Sequence, residues 1–230
     1  MGRPGARRLT GSLAQDRPPP RPAAASRAFF LLLAAACAAM ALPASAAGKP
    51  EAAAQQVALA AVASGDNRAA PFGVVDKRSA RLFMFDSDGR LRASSPVLLG
   101  SAKGDDSVPG IGTRPIKDIR PEERTTPAGR FVTEPGVNAS GEDVVWIDYD
   151  AAVSMHRVRT SNKSERRLER LASPSIEDNR ISYGCINVPA RFYNEQVKPV
   201  LGNRAGLVYV LPETASTERR FPFMDPNGKP

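Results

Sequence analysis

Between Pro71 and Pro212 the sequence consists of short apolar runs separated by turn-forming residues, and this pattern restricts the possible folds. The runs include FGVVDK, ARLFMFD, GRFVTEPG, DVVWIDYD and AGLVYVLP. Segments of this length, rich in β-branched and aromatic residues and bounded by Gly, Pro, Asn or Asp, are typical of β-strands. Asp88-Gly89, directly after the second run, predicts a tight hairpin turn. We therefore expect one mainly β domain over residues 71–212.

The remaining segments are less regular. Residues 101–128 form a long polar stretch rich in Pro and Gly, and loops of this length in compact domains are usually functional or mobile. The segment ARFYNEQVKPVL, which begins beyond Pro189, predicts a helix over residues 190–201. Residues 47–70 are Ala-rich without an aromatic residue and form either a linker or a short helix. Residues 213–230 are expected to form a polar C-terminal tail.

The first 46 residues have the features of a cleaved export signal. Arg27 precedes the apolar core AFFLLLAAACAAMAL, which has the length of a signal core and is too short to span a bilayer comfortably. Small residues, Ala44 and Ala46, then suit a cut after Ala46. A lipid-anchored form cut before Cys37 is the alternative. We expect a periplasmic or other extracytoplasmic protein that meets the membrane only through this signal.

The net charge of +8 does not indicate a nucleic-acid partner. Six of the 32 basic residues, but one of the 24 acidic residues, lie in residues 1–46, which leaves a net charge of +3 for the rest of the chain. Since the basic charge is concentrated in the segment that export would remove, the mature protein has no marked attraction for a polyanion.

Few groups in the mature sequence can carry out chemistry. His156 is the single histidine, and Cys185 is the single cysteine once Cys37 has left with the signal. These are too few for a zinc site, the acidic residues show no calcium-loop pattern, and no glycine-rich phosphate loop is present. We therefore expect neither a metal nor a cofactor, and the candidates that remain are this thiol and this imidazole.

A thiol becomes a nucleophile at neutral pH when a base or a cation lies beside it, and an imidazole can do this. His156 ends the apolar run VSMH, and Cys185 follows Gly184 in a turn, where backbone N–H groups can stabilise an oxyanion. A buried structural cysteine and a hydrogen-bonded structural histidine are the alternative. The residues alone leave both interpretations open.

Four segments, in order along the chain, resemble the YkuD-type L,D-transpeptidase catalytic domain, the cysteine enzymes that remodel bacterial peptidoglycan. They are FGVVDKRSARLFMFDSDGRLRASSPVLLG, TTPAGRFV, VSMHRV and ISYGCINV. The last resembles the family's Ser/Thr-His-Gly-Cys signature. The resemblance extends over about Pro71 to Pro212. It implies a mainly β fold, a sandwich of mixed sheets with one or two short helices.

The resemblance also implies roles for residues near the signature. Cys185 matches the nucleophile, and His156 matches the base that generates its thiolate. The backbone N–H groups of Tyr183, Gly184 and Cys185 would line the oxyanion site.

Three flanking residues match positions that frame the signature. Ser182 is expected to shape the turn. Arg180 is either structural or substrate-binding, and Asn187 either hydrogen-bonds locally or touches substrate.

The sequence departs from the family pattern in two places. Tyr183 replaces the signature's histidine, and a tyrosine hydroxyl can donate a hydrogen bond but cannot titrate near pH 7. Because the family's base is the earlier histidine, here His156, the thiol and its base are both retained. In addition, 28 residues separate His156 from Cys185, more than the family usually has. The surplus, residues 161–178, is either a solvated surface segment or part of a lid for acidic stem peptides that uses Arg166, Arg167 and Arg170.

The resemblance implies an exported enzyme that acts on tetrapeptide stems of peptidoglycan through a thioester on Cys185. The acceptor would be an amine of a neighbouring stem, a D-amino acid or a lipoprotein lysine. One alternative is an L,D-carboxypeptidase or endopeptidase that uses water on the same thioester. The other is a non-catalytic peptidoglycan-binding protein.

Overall fold

The structure, a computed structural model, describes residues 48–225. The predicted export signal and the alternative lipid anchor at Cys37 lie outside the described residues. Within residues 48–225, no helix is both long enough and apolar enough to cross a membrane. The boundaries expected at residues 46, 70 and 212 stay predictions.

The described residues form ten β-strands. They are β1 (Phe72–Asp76), β2 (Arg81–Phe85), β3 (Leu91–Pro96), β4 (Leu99–Gly100), β5 (Gly129–Val137), β6 (Asp143–Asp148), β7 (Val153–Arg157), β8 (Arg180–Ser182), β9 (Ile186–Val188) and β10 (Gly206–Leu211). Eight of them form one sheet in the order β3-β2-β1-β10-β5-β6-β7-β9, and β4 and β8 form a small parallel sheet. Because β1 pairs with β10 and β7 with β9 in parallel while the other neighbours are antiparallel, the large sheet is mixed.

Short helices complete the described part of the chain. They are α1 (Gly48–Ala63), α2 (Arg167–Ala172), α3 (Ala190–Phe192), α4 (Lys198–Leu201) and α5 (Thr217–Arg220), with a π-helical turn, Tyr193–Val197, between α3 and α4. The predicted mainly β fold with mixed sheets and short helices is confirmed. The helix expected over residues 190–201 is present, and the Ala-rich segment 47–70 is a helix from Gly48 to Ala63. The β2–β3 hairpin turns at Gly89, whose φ of 75° suits glycine.

The central strands are buried on both faces, which explains why their sequences are almost continuously apolar. Successive residues of β1 and β10 enter two different hydrophobic clusters. Val75 and Val208 belong to the first cluster, and Val74 and Tyr209 belong to the second. A strand with a solvent-facing side would instead alternate apolar and polar residues.

Helices cover both faces of the sheet through side chains at helical spacing. The helix α1 adds four residues to the second cluster: Ala54, Val57, Ala58 and Ala61. The segment from α3 to α4 adds three large residues to the first cluster: Tyr193, Val197 and Leu201. The first cluster also holds Val153 and Met155 of β7, so it lies directly beneath the strand that carries the histidine.

The segment after Pro212 contributes to the core. Phe221 is fully buried in the second cluster, and its ring lies 5.9 Å from that of Tyr209 in an edge-on arrangement. Phe223 packs beside it, with ring centroids 5.6 Å apart, but is only partly buried. Residues 213–225 are therefore held against the domain by the buried ring of Phe221, which their mostly polar composition did not indicate.

We expect Phe221→Ala to lower the free energy of unfolding by ~3–5 kcal/mol, because it removes a fully buried ring and leaves a cavity. Phe223→Ala is the matched control and should cost clearly less, since that ring is partly exposed. Urea unfolding of the three proteins measures both values. A loss below about 1 kcal/mol for Phe221→Ala, the size of an ordinary surface substitution, would contradict this packing.

Candidate active site

The candidate site lies at the edge of the large sheet, where β7 runs parallel to β9. Side chains alternate along β7, so that Val153 and Met155 enter the core while Ser154 and His156 lie on the opposite face. His156 is the register partner of Asn187, two residues beyond the cysteine. The pairing of these two strands therefore brings a histidine and a cysteine that are far apart in sequence to the same edge.

The thiol of Cys185 is half-buried and surrounded by polar atoms of β7 and of the turn before it. Its Sγ lies 3.7 Å from the hydroxyl of Ser154 and 3.7 Å from the carbonyl oxygen of Ala152. Burial raises the pKa of Cys185. A hydrogen bond and a charge interaction with His156, together with hydrogen bonds from Ser154, outweigh burial, and the pKa lies below its ordinary value.

The imidazole of His156 is held in one tautomer. Its Nδ1 lies 2.7 Å from the carbonyl oxygen of Arg157, and because a carbonyl can only accept, Nδ1 carries the proton. Nε2 is then the nitrogen that is free to accept the thiol proton. This arrangement, a base oriented by a second group, is typical of an activated nucleophile.

The turn before Cys185 leaves two backbone amides without a partner. The Gly184 N–H donates to the hydroxyl of Ser182 at 3.1 Å, whereas within residues 48–225 neither the Tyr183 N–H nor the Cys185 N–H has a hydrogen-bond acceptor. The sequence predicted all three amides as oxyanion donors. Two of them, at alternate residues, are available in this turn, and the third is used internally.

The hydroxyl of Ser182 makes two hydrogen bonds inside the turn. It accepts from the Gly184 N–H and donates to the carbonyl oxygen of Cys185 at 2.6 Å. Gly184 has a φ of 130°, and a Cβ there would lie 2.9 Å from the carbonyl oxygen of Thr125. The position therefore requires glycine both for its backbone angle and for the close approach of a neighbouring chain segment.

Tyr183 presents its ring to solvent. Its side chain is 40% exposed, and the guanidinium of Arg124 lies 4.1 Å from the ring centroid, a cation–π contact. The hydroxyl makes no hydrogen bond to the described residues. Tyr183 thus contributes to the candidate site through its backbone and borders it with its ring.

The side chain of Arg180 is engaged by groups outside the turn that precedes Cys185. Its guanidinium is buried, forms an ion pair with Glu213, and donates to the carbonyl oxygen of Lys77 at 2.8 Å. These contacts favour the structural alternative over the substrate-binding one for Arg180.

Asn187 is fully buried. Its side-chain amide donates to the carbonyl oxygen of Cys185 at 3.2 Å and accepts from Arg167. Its backbone exchanges hydrogen bonds with Leu98 at 2.8 and 2.9 Å. Local hydrogen bonding, rather than contact with substrate, is the role that these contacts support for Asn187.

The arginines of residues 161–178 are engaged within or beneath that segment. Arg166 pairs with Glu169, and Arg170 donates to backbone carbonyls of the same segment. Arg167 is largely buried and reaches Asn187. Through Arg167 the segment therefore supports the chain beside Cys185, and the guanidinium groups of Arg166, Arg167 and Arg170 already have partners within the protein.

A buried ion cluster below the turn was not foreseen from the sequence. Lys77 Nζ lies 2.9 Å from Asp105 and 3.6 Å from Glu213, which in turn pairs with Arg180. Burial lowers the pKa of Lys77, although the two carboxylates oppose the shift. Lysine at the end of the apolar run FGVVDK gave no sign of burial, because its partners come from distant segments.

The contact between Ser154 and the thiol of Cys185 was also not foreseen from the sequence. The alternation in VSMH was the available signal, because residues two apart on a strand share a face, and Ser154 precedes His156 by two. Within residues 48–225, no group of three or more His, Cys, Asp and Glu side chains is arranged to hold a metal ion.

Several solved structures are similar to this one at low sequence identity. The helical cell shape determining protein Pgp2 from Campylobacter jejuni is 15% identical over 70% of this chain and 56% of its own, with a TM-score of 0.41. Mycobacterium tuberculosis L,D-transpeptidase 1 is 15% identical over 61% of each chain, with a TM-score of 0.34. The catalytic domain of the Enterococcus faecium L,D-transpeptidase is 18% identical over 61% of this chain and 95% of its own, with a TM-score of 0.35.

This chain matches little more than half of the length of Pgp2 and 61% of that of the mycobacterial enzyme. No protein-family model matches the sequence, and no curated protein matches it.

We expect the alkylation of Cys185 by iodoacetamide to rise with pH around a midpoint below the ordinary thiol value of about 8.5, because His156 favours the thiolate. His156→Ala should move the midpoint upward. Ser154→Ala, which removes a weaker contact, should move it less. Peptide-level mass spectrometry reports the rate at Cys185 alone. A midpoint that is the same in wild type and His156→Ala would contradict the pairing of thiol and imidazole.

Proposed function

We propose that this protein is an exported cysteine acyltransferase of the L,D-transpeptidase type that acts on tetrapeptide stems of peptidoglycan. The observation that carries the proposal is the placement of Cys185 and His156 at the same edge of the sheet, where β7 pairs with β9, beside a turn in which two amides have no partner among the described residues. The lowered pKa of Cys185, to which His156 contributes, agrees with this placement. The four sequence segments that resemble the family in order supply the substrate class. Export and an extracytoplasmic location follow from the predicted signal and belong to the same proposal.

In the first step, Nε2 of His156 takes the proton of the Cys185 thiol. The thiolate attacks the carbonyl carbon between the third residue of the stem and its terminal D-Ala, and the carbonyl oxygen becomes an oxyanion. The amides of Tyr183 and Cys185 stabilise that oxyanion. When the C–N bond breaks, D-Ala leaves with the proton held by His156, and the acyl group remains on Cys185 as a thioester.

In the second step, an amine attacks the thioester and His156 accepts its proton. A side-chain amine of a neighbouring stem gives a 3-3 cross-link, a D-amino acid gives exchange, and a lipoprotein lysine gives covalent attachment. Water in place of the amine gives hydrolysis, as in an L,D-carboxypeptidase or endopeptidase. As the new bond to the acyl carbon forms, the C–S bond breaks, and the sulfur of Cys185 takes back the proton held by His156. This restores the thiol, so that one site serves every acceptor.

A peptidoglycan-binding protein without catalysis is the second candidate from the sequence. The lowered pKa of Cys185 favours catalysis, because a binding surface gains nothing from a thiolate. The fixed tautomer of His156 favours it for the same reason.

We expect purified tetrapeptide-rich muropeptides to be converted by the wild type and left unchanged by Cys185→Ser. Mass spectrometry distinguishes the reactions, since cross-linked or exchanged products indicate transfer and tripeptides alone indicate hydrolysis. An added D-amino acid supplies a small acceptor in a parallel sample. Identical products from the wild type, Cys185→Ser and a sample without protein would contradict the proposal.

Substitutions of His156 and Tyr183 should differ in their effect on the reaction of Cys185. His156→Ala should abolish formation of the thioester, because the thiol loses its base. Tyr183→Phe should slow it only about threefold or less, since the ring hydroxyl has no partner within the described residues and the backbone amide is retained. Intact-protein mass spectrometry of the acyl-enzyme measures both. Equal losses in the two variants would show that the roles are wrongly assigned.

A further inference from the structure

We propose that Thr126 is a positioning residue for the oxyanion site: its hydroxyl holds the Gly184–Cys185 peptide so that the Cys185 N–H is presented to the reacting carbonyl. The inference rests on the proposed thioester chemistry of Cys185. Thr126 lies in the loop before β5, 59 positions ahead of the cysteine.

The hydrogen bonds of Thr126 fix the direction of its hydroxyl proton. The side chain is almost fully buried, with 1% exposed. The Gly100 N–H donates to Oγ1 at 2.8 Å, and Oγ1 lies 2.8 Å from the carbonyl oxygen of Gly184. Since a carbonyl can only accept, the hydroxyl donates to Gly184. The hydroxyl of Thr126 therefore has one orientation, in which it accepts from the Gly100 N–H and donates to the Gly184 carbonyl.

The carbonyl of Gly184 and the N–H of Cys185 belong to the same peptide group. In a planar trans peptide, the C=O and N–H bonds point in opposite directions. A hydrogen bond that holds the Gly184 carbonyl against Thr126 therefore turns the Cys185 N–H away from Thr126. That N–H has no acceptor among the described residues. Donation to the carbonyl also polarises the peptide and strengthens its N–H as a donor.

The other unpartnered amide of the turn is fixed in the same manner. The carbonyl of Ser182 accepts from the Ser101 N–H at 2.9 Å, and the N–H of the same peptide is that of Tyr183. In the Tyr183–Gly184 peptide, which lies between them, it is the N–H that is held, because the Gly184 N–H donates to the Ser182 hydroxyl. Among residues 48–225, the turn thus has two amides without an acceptor, at alternate residues, and each belongs to a peptide whose carbonyl accepts a hydrogen bond.

Thr126 is itself fixed by the buried ion cluster. Lys77 Nζ donates to the carbonyl oxygen of Thr126 at 3.0 Å, and the same ammonium pairs with Asp105. Next to Thr126, the carbonyl oxygen of Thr125 lies so close to Gly184 that only glycine fits there. A threonine held at its backbone can control the orientation of a neighbouring peptide, whereas one on a mobile loop could not.

The role predicts a separation between two reactions of the same thiol. Alkylation by iodoacetamide proceeds without an oxyanion, so it depends on the thiolate alone. Acylation by p-nitrophenyl acetate passes through an oxyanion, which forms when the thiolate attacks the ester carbonyl. The C–O bond then breaks, p-nitrophenolate departs, and the acetyl group stays on Cys185 as a thioester. Loss of the Thr126 hydroxyl should impair the second reaction and spare the first.

The experiment compares full-length wild type with Thr126→Val, which keeps the shape of the side chain and removes its donor, and with Thr126→Ser, which restores the hydroxyl. Thr133→Val is a matched control, because Thr133 is equally buried and its hydroxyl has no partner within the described residues. Peptide-level mass spectrometry follows both reactions at Cys185, with Cys185→Ser as the background. Thermal unfolding of each variant reports whether it is folded.

We expect Thr126→Val to reduce the acetylation rate by about 10- to 100-fold. This is at or below the roughly 100-fold cost of a misplaced group or a lost oxyanion donor, because the Cys185 N–H is retained and only its orientation is loosened. Its alkylation rate, and the pH midpoint of alkylation, should stay within about twofold of wild type. Thr126→Ser should restore most of the acetylation, and Thr133→Val should leave both reactions unchanged.

Four results would contradict the role of Thr126, the proposed function, or both. The role of Thr126 is overturned if wild type and Thr126→Val are acetylated at the same rate. It is also overturned if Thr126→Val loses alkylation and acetylation in parallel while Thr126→Ser is folded but still slow in acetylation. Acetylation of wild type at Cys185 without any conversion of muropeptides overturns the proposed substrate and leaves the role of Thr126 intact. No acetylation of wild type above the Cys185→Ser background overturns both.

Discussion

The ammonium group of Lys77 lies wholly inside the protein, where a charge is stable only if neighbouring groups replace the water it has lost. Asp105 and Glu213 supply the opposite charge, and the carbonyl oxygens of Gly104 and Thr126 supply further acceptors. These partners come from the loop after β4, the segment before β5 and the segment after β10. Satisfying one buried ammonium therefore fixes three otherwise irregular segments against the end of β1.

The candidate site depends on those segments more than on the regular sheet. The pairing of β7 with β9 places His156 near Cys185, but the amides of the turn are oriented from outside the sheet, through Thr126 and Ser101. Thr126 links the two systems, since its carbonyl accepts from Lys77 and its hydroxyl donates to Gly184. The segment at Thr126 thus has two roles: it supplies an acceptor to the buried charge of Lys77, and it orients the turn before Cys185.

Much of this arrangement could be predicted from the sequence, and the remainder could not for a definite reason. Apolar runs predicted the strands, because that signal is local. The scarcity of reactive residues singled out Cys185 and His156 as candidates but left a structural role open for both, and only the resemblance implied that they act together. The burial of Lys77 and the use of Arg180 and Asn187 as internal supports depend on partners far away in the chain. A charged residue next to a signature motif has the same local sequence whether it faces substrate or the interior.

The central claim is that the reacting carbonyl is bound by the amides of Tyr183 and Cys185. A crystal structure of the protein acylated at Cys185 tests it most directly. We expect the carbonyl oxygen of the thioester to lie about 2.7–3.1 Å from both amide nitrogens, with the Thr126 hydroxyl still bonded to the Gly184 carbonyl. A carbonyl oxygen that points to solvent or toward Ser154, with both amides unoccupied, would contradict it.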